Sequence, residues 1–358
     1  MGECVAVLGA GGFIGNRTVE VLHLAGVAVV PIVRTPSSLA LACRFDVPVR
    51  IADALDESSL VHAFAGCESA VMAIAGDPQQ IVGSIGPVYR AAESAGLRRL
   101  VYLSTASVHG QSPAPGTVDS TPLSDRQPIP YNNAKVRAEW KLLECRSRGS
   151  TEVVLLRPGI VYGPRSQWTG GLADDMLGGR AYLVDGGWGV CNSIYVDNVV
   201  AAIRRALHAS DADGQAFLIG DREEITWVDL YRPIAEALGV DVLALPTPPS
   251  SAAADSVRRF DRLRSSPARS FVPGPVRAGL RAAYRSARDP NAARPGPAVS
   301  HEKALLHTCS HKLPWDAARS VLGFEPETSF AEGCRRSVAW LEFAGYPVGG
   351  RSSSWGMR

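Results

Sequence analysis

Long apolar runs are missing from this chain of 358 residues. No stretch reaches the roughly 18 consecutive apolar residues of a membrane span. The first apolar run, from Cys4 to Leu8, is too short for a signal segment and has no basic residues ahead of it. A cytoplasmic protein is expected. Charge of one sign is missing too: 37 lysines and arginines face 35 acids, a net +2, so nothing draws the whole molecule toward nucleic acid. Cysteine is sparse and unordered. The seven (Cys4, Cys43, Cys67, Cys145, Cys191, Cys309, Cys334) are odd in number and never form a C-x-x-C pair, which excludes a disulfide framework or zinc site and fits a reducing compartment. His301, His307 and His311 come without carboxylate or cysteine at ligand spacing, so no metal is expected.

What is present is alternation. Short β-branched runs at 4–8, 28–33, 49–51, 70–74, 100–104 and 153–156 read as strands, with helical patterns at 13–25, 57–65, 80–95 and 131–148 between them. Several of these strands are apolar on both faces, as in a parallel sheet covered by helices on either side. The expected fold class is α/β: a doubly wound, Rossmann-type parallel sheet followed by a smaller C-terminal substrate lobe. The nucleotide domain is assigned 1–160, with the strand at 193–196, the helix at 197–208 and the strand at 216–219 returning to its sheet within 193–222. The lobe is assigned 161–192 and 223–345, with an insertion at about 246–300 and a tail at 346–358. That insertion is rich in Pro, Ala, Ser and Arg, and carries ten arginines against two acids between Arg258 and Arg294. It reads either as a basic amphipathic helix around 276–288, fit to meet an anionic partner, or as a solvated lid insertion.

The stretch GAGGFIG, Gly9 to Gly15, places four glycines directly after the first strand. Each such glycine costs roughly 0.5–1 kcal/mol against alanine in an element interior, so a cluster marks places where no side chain is tolerated. A strand, a glycine turn and a helix form a dinucleotide site, the turn bringing pyrophosphate onto the free N–H groups of the helix. The spacing is Gly9-x-x-Gly12-x-x-Gly15, with Ile14 where the commoner fingerprint has its last glycine. Gly9, Gly12, Phe13, Ile14 and Gly15 are therefore assigned to the cofactor. The second strand ends in Arg34, and no Asp or Glu occurs between Glu20 and Asp46. An acid there would hold a ribose hydroxyl; an arginine suits a 2′-phosphate, so Arg34 points to NADP, with NAD as the alternative. A solvated arginine at a strand end is the plainer reading. Arg17 either assists or faces water. Asp53, after the third strand, either caps a turn or approaches the adenine, and Ala73, on the fourth, completes the expected cleft.

The fifth strand ends Leu103-Ser104-Thr105-Ala106-Ser107-Val108, and Tyr131-Asn132-Asn133-Ala134-Lys135 follows. On a helix Tyr131 and Lys135 stand four apart, on one face. A nearby ammonium lowers a phenol from about 10 toward a value useful in proton transfer. A hydroxyl at the end of the fifth strand would hold a substrate oxygen.

With these pieces in order, the chain resembles the extended short-chain dehydrogenases/reductases, the NAD(P)-dependent epimerase/dehydratase family. The stretches that carry the resemblance are GAGGFIG, LSTASVHG, YNNAK, RPGIVYGP, SIYVDNVVAA and LGFEPETSFAEGCRRSVAWL. The resemblance implies Tyr131 as acid/base, Lys135 on the nicotinamide ribose, Thr105 as the hydroxyl partner with Ser107 competing, and Pro158 beside the nicotinamide. It also implies hydride transfer at a secondary alcohol or ketone carbon. Dehydratases of the family carry an Asp-Glu pair after the threonine; Ala106 and Ser107 stand there instead, which argues against elimination. Arg157-Pro158 and Asn192 depart from the pattern of galactose-type epimerases. His109 replaces a tyrosine and reads as a loop residue. An NAD(P)-dependent oxidoreductase is the leading expectation. A nucleotide-sugar epimerase that retains NAD, and a non-catalytic NADP-binding regulator, are the alternatives. Expected partners are a small hydroxyl or keto compound or a nucleotide sugar, with a possible homodimer through the helices 80–95 and 131–148. Trp168 and Trp188 are either pocket walls or core of the lobe.

Overall fold

The computed structural model describes residues 3–253 and 299–350. The arginine-rich stretch 258–294 and the tail from 351 onward lie outside the described residues. Seven parallel strands form the main sheet: β1 (Cys4–Leu8), β2 (Ala28–Val33), β3 (Arg50–Ile51), β4 (Ser69–Met72), β5 (Arg99–Leu103), β6 (Glu152–Pro158) and, later in the chain, β10 (Ala216–Ile219). Their spatial order is β10-β6-β5-β4-β1-β2-β3. The winding reverses between β1 and β4, which opens a crevice at the carboxyl ends of those two strands.

The strands are apolar on both faces because both faces are covered. Alternate residues of one face (Ala6, Leu8, Val30, Ile32, Ala70, Met72) pack against α3 (Glu57–Phe64), α4 (Pro78–Ser94) and α5 (Pro130–Arg148). The other set (Val5, Val7, Val29, Val71, Val101) meets α1 (Phe13–Leu24) and α7 (Val196–His208). Asp56 caps α3 by accepting from the Ser58 N–H, and Asp77 caps α4 by accepting from Gln79 and Gln80, each worth about 1 kcal/mol. The short α2 (Leu39–Ala42) follows β2.

One expectation is corrected here. The strand at 193–196 does not join the main sheet. Observed as β9 (Ser193–Tyr195), it pairs in parallel with β7 (Ile160–Tyr162) in a separate two-stranded sheet. The reason is local: after β6 the chain turns away at Gly159, where a Cβ would strike the Asn192 carbonyl, and the Ile160 N–H donates to that same oxygen at 2.7 Å. The helix and the last strand of this region do return, α7 against the sheet and β10 beside β6.

The lobe is built from α6 (Leu172–Leu177), β8 (Val190–Cys191) paired antiparallel with β11 (Ile225–Thr226), α8 (Trp227–Ala237), α9 (His301–His307) and α11 (Phe330–Phe343). Its core is aromatic: Tyr162, Tyr195, Trp227 and Tyr231 are all buried. The helix α10 (Asp316–Leu322) packs back on the sheet side through Ala318 and Leu322. No described helix is long and apolar enough to cross a membrane.

Candidate active site

The glycine turn lies where the sheet reverses. Gly9 has φ of +91°, and a Cβ there would sit 2.7 Å from the Ala73 carbonyl oxygen. At Gly15 a Cβ would collide with the Gly9 carbonyl. Both positions exclude a side chain, one by conformation and contact, the other by contact alone. Gly12 precedes α1 and offers no side-chain cap, so the first N–H groups of that helix remain for a ligand. The cleft in front of them measures ≈ 610 Å³ and is walled by Gly9, Gly12, Phe13, Ile14, Arg34, Asp53 and Ala73. These residues, inferred from the sequence, are thus brought together. The volume and the side-chain-free cradle fit a dinucleotide.

Residues that sequence reasoning missed also line this cleft. Gln80 accepts a hydrogen bond from the Arg34 Nη1 at 3.2 Å, and Gly76 and Asp77 stand beside it at the start of α4. Asp53 accepts from the Leu55 N–H at 3.0 Å. Arg34 is exposed and, among the described residues, pairs with no carboxylate. Arg17 is not available: its guanidinium is held by Asp197 at 2.6 Å and by Glu20 at 2.8 Å. Around Asn16, buried in the first turn of α1, the guanidinium groups of Arg44 and Arg165 converge on Oδ1 at 3.1 and 2.7 Å.

Tyr131 and Lys135 stand on the first turns of α5, which begins with Pro130 in the position where proline is tolerated. Lys135 is buried, and its Nζ donates to the carbonyls of Ile74 (3.2 Å) and Leu103 (2.7 Å) and to the Tyr102 hydroxyl (3.2 Å). Ile74 is itself a wall of the cleft, so the ammonium reaches the inner edge of the nucleotide site. Burial pushes Lys135 down to about 7, partly opposed by Glu139. Burial pushes Tyr131 up to about 12, and the nearby Glu302 carboxylate adds to it. The expectation of a lowered phenol is therefore not met: burial raises it, and the Lys135 Nζ is engaged by two backbone carbonyls and the Tyr102 hydroxyl.

Thr105 is buried at the end of β5, where its Oγ1 accepts from the Ser107 N–H at 3.2 Å. Ser107 instead walls a small cavity of ≈ 30 Å³ together with Gln111, Gly159, Trp227 and Leu306. Pro158 closes β6, buried next to that cavity's Gly159. Behind them lies a buried ion pair that the sequence did not announce. Arg157 donates to both carboxylate oxygens of Glu139, at 3.0 and 2.6 Å, and to the Asp119 carbonyl at 2.7 Å. Glu139 continues the Tyr131, Lys135 row one turn further along α5. His109 lies 3.3 Å from Arg157; since arginine only donates, the ring nitrogen accepts. Burial, helped by that arginine, pushes His109 down to about 4.

In the lobe, Trp168 both packs on Trp227, ring centroids 5.2 Å apart, and walls a cavity of ≈ 190 Å³. Trp188 is 63% exposed and belongs to neither. Of the three histidines, His307 is buried and stacked on Trp227 at 4.4 Å. No group able to hold a metal is found among the described residues.

Comparison with known proteins agrees with this geometry. The profile of the NAD dependent epimerase/dehydratase family matches residues 5–220. A 3-diazoavenalumate denitrifying reductase from a Streptomyces species is 31% identical over 228 residues, covering 59% of this chain and 73% of that protein. A 2-alkyl-3-oxoalkanoate reductase from Shewanella oneidensis is 26% identical over 361 residues, covering 94% and 85%. Among solved structures, a dTDP-glucose 4,6-dehydratase from Bacillus anthracis in complex with NAD superposes with a TM-score of 0.69 at 18% identity, over 95% of this chain and 97% of that one. A glycine cradle at a strand reversal, followed along the chain by a tyrosine and a lysine one helical turn apart on α5, is thus carried by a chain that belongs to the NAD-dependent epimerase/dehydratase family and is an NAD(P)-dependent dehydrogenase/reductase or epimerase.

Proposed function

We propose that this enzyme is an NADP-dependent reductase of a small ketone. The observation that supports it most directly is Arg34, exposed at the end of β2 in the wall of the cleft, where a guanidinium suits a 2′-phosphate. The names of the two reductase relatives point the same way.

When bound, the cofactor supplies the hydride that forms the new C–H bond at the carbonyl carbon. Gly9, Gly12 and Gly15 would admit its pyrophosphate, Arg34 and the hydroxyls of Thr35, Ser37 and Ser38 would hold the 2′-phosphate, and Lys135 would hold the nicotinamide ribose. Those three hydroxyls already cluster at 2.9 and 3.1 Å around Thr35 Oγ1. Thr105, or Ser107 beside it, holds the substrate oxygen while Tyr131 Oη delivers the proton. Pro158 would lie beside the nicotinamide.

A retained-NAD epimerase is the second reading, favoured by a UDP-glucose 4-epimerase of Vibrio cholerae that is 26% identical over 168 residues. The test is the nucleotide state of the purified protein. A reductase releases its cofactor each cycle, so the expected protein is empty and binds NADPH about ten-fold tighter than NADH, one charge-assisted contact. Arg34→Ala removes that preference. Co-purifying NAD overturns the proposal in favour of the epimerase. Residues 1–160 and 193–222 act in this reading as the nucleotide unit, and 161–192 with 223–345 as the substrate unit. A homodimer through α4 and α5, where Trp140 is 45% exposed, and a cytoplasmic location, consistent with seven free thiols, complete it.

A further inference from the structure

The ≈ 190 Å³ cavity of the lobe has an electrostatic feature that the reaction itself does not explain. Lys303, on α9, places its Nζ 4.4 Å from the centre of the Tyr182 ring and 5.4 Å from that of Tyr231. Among the described residues the ammonium makes no hydrogen bond or ion pair. The two acids in the same wall are already engaged: Asp175 with Arg180 at 3.1 Å, and Glu302 with the Gln111 amide at 2.9 Å. Ring faces stabilise a cation without using up its N–H donors. A half-buried ammonium with its donors unspent is costly unless something accepts them, and burial does push Lys303 below its ordinary value.

We propose that Lys303 is the specificity-determining residue of the reductase reading, holding a carboxylate of the substrate in this cavity. The body of the substrate lies against Trp168, Leu172 and Leu306, and its keto group points toward Tyr131. Continuity supports this direction. Leu306 walls both this cavity and the one that contains Ser107. Glu302, one residue before Lys303, is the carboxylate whose charge reaches Tyr131. The charge balance narrows the ligand: Arg180 offsets Asp175 and Lys303 offsets Glu302, so the wall has no excess positive charge and the single charge of a carboxylate at the ammonium costs less than the diphosphate of a nucleotide sugar.

The test is calorimetric titration of the full chain with octanoate and with octanamide. Neither probe has a reducible ketone, so the outcome does not depend on turnover. The expected result is binding of octanoate at least about ten-fold tighter than the amide, the worth of one charge-assisted hydrogen bond. Lys303→Met brings the acid to the level of the amide, Lys303→Arg keeps the preference, and both bind NADPH as the unaltered protein does. Equal binding of acid and amide to the unaltered protein overturns the proposal, as does a preference that survives Lys303→Met. A preference for octanoate in a protein that reduces no 3-oxo acid with NADPH upholds the carboxylate site and overturns the reductase reading instead.

Discussion

The nucleotide cleft and the cavity of the lobe make a site in opposite ways. The cleft is mostly backbone: glycine turns, strand ends and the open start of α1, held by the first four strands of the chain. The cavity is mostly side chain. It brings Trp168, Tyr231 and Lys303 from segments far apart in sequence, around strands only two residues long. A backbone site binds what all members of a family share, because peptide groups cannot be exchanged. A side-chain site can be changed residue by residue, and is where substrate choice is written.

That contrast has consequences that can be measured. Tyr131 lines neither cavity and serves both only in the proposed mechanism. Tyr131→Phe is expected to lower kcat by about 10³-fold or more, a loss typical for a removed proton donor, with NADPH affinity preserved in a titration. Retained turnover would end the mechanism, and lost affinity would move Tyr131 into the cleft. Gly15→Ala should do the reverse. Its methyl collides with the Gly9 carbonyl, so NADPH affinity falls about 100-fold, as when roughly 2.7 kcal/mol is lost. Ligand-induced protection of the cleft side against heating should vanish, while octanoate binding in the lobe stays.

A further measurement concerns stability. Burial, with the charge of Lys303, pushes the His307 ring down to about 3, and burial pushes His109 to about 4, both from 6.5. Each folded value lies below the unfolded one, so the contribution is complete above 6.5 and is lost as pH falls toward the folded values. Through that window each histidine removes at most about 1.4 kcal/mol per pH unit. Denaturant midpoints measured from pH 7 to pH 4 should fall, and His307→Phe should flatten the slope. An unchanged slope would mean that the ring is solvated in the folded state.

How much of this was legible beforehand follows the same division. GAGGFIG and YNNAK could be read because their meaning is local: a close approach needs glycine wherever it occurs, and four residues make one helical turn. Strand and helix ends fell within about two residues, as short apolar runs allow. The partnership of 193–196 was misread, because a short strand before a helix looks the same whichever sheet it joins. Gln80 beside Arg34, and Glu302 beside Tyr131, left no signal, since both arise from contacts across long stretches of chain. The raised phenol was missed for a related reason: an i, i+4 spacing shows the amine but not the loss of water around it.

The pair formed by Arg157 and Glu139 sits with both members almost out of reach of solvent. Separating such partners strands a charge in a medium that cannot solvate it, at about 3–5 kcal/mol. Glu139 rides the helix of the proton donor, and Arg157 rides the last strand before the chain departs for the lobe. The joint ties α5 to β6 through two charge-assisted hydrogen bonds, so the helix that carries Tyr131 cannot be drawn away from the strand end at this point without that penalty.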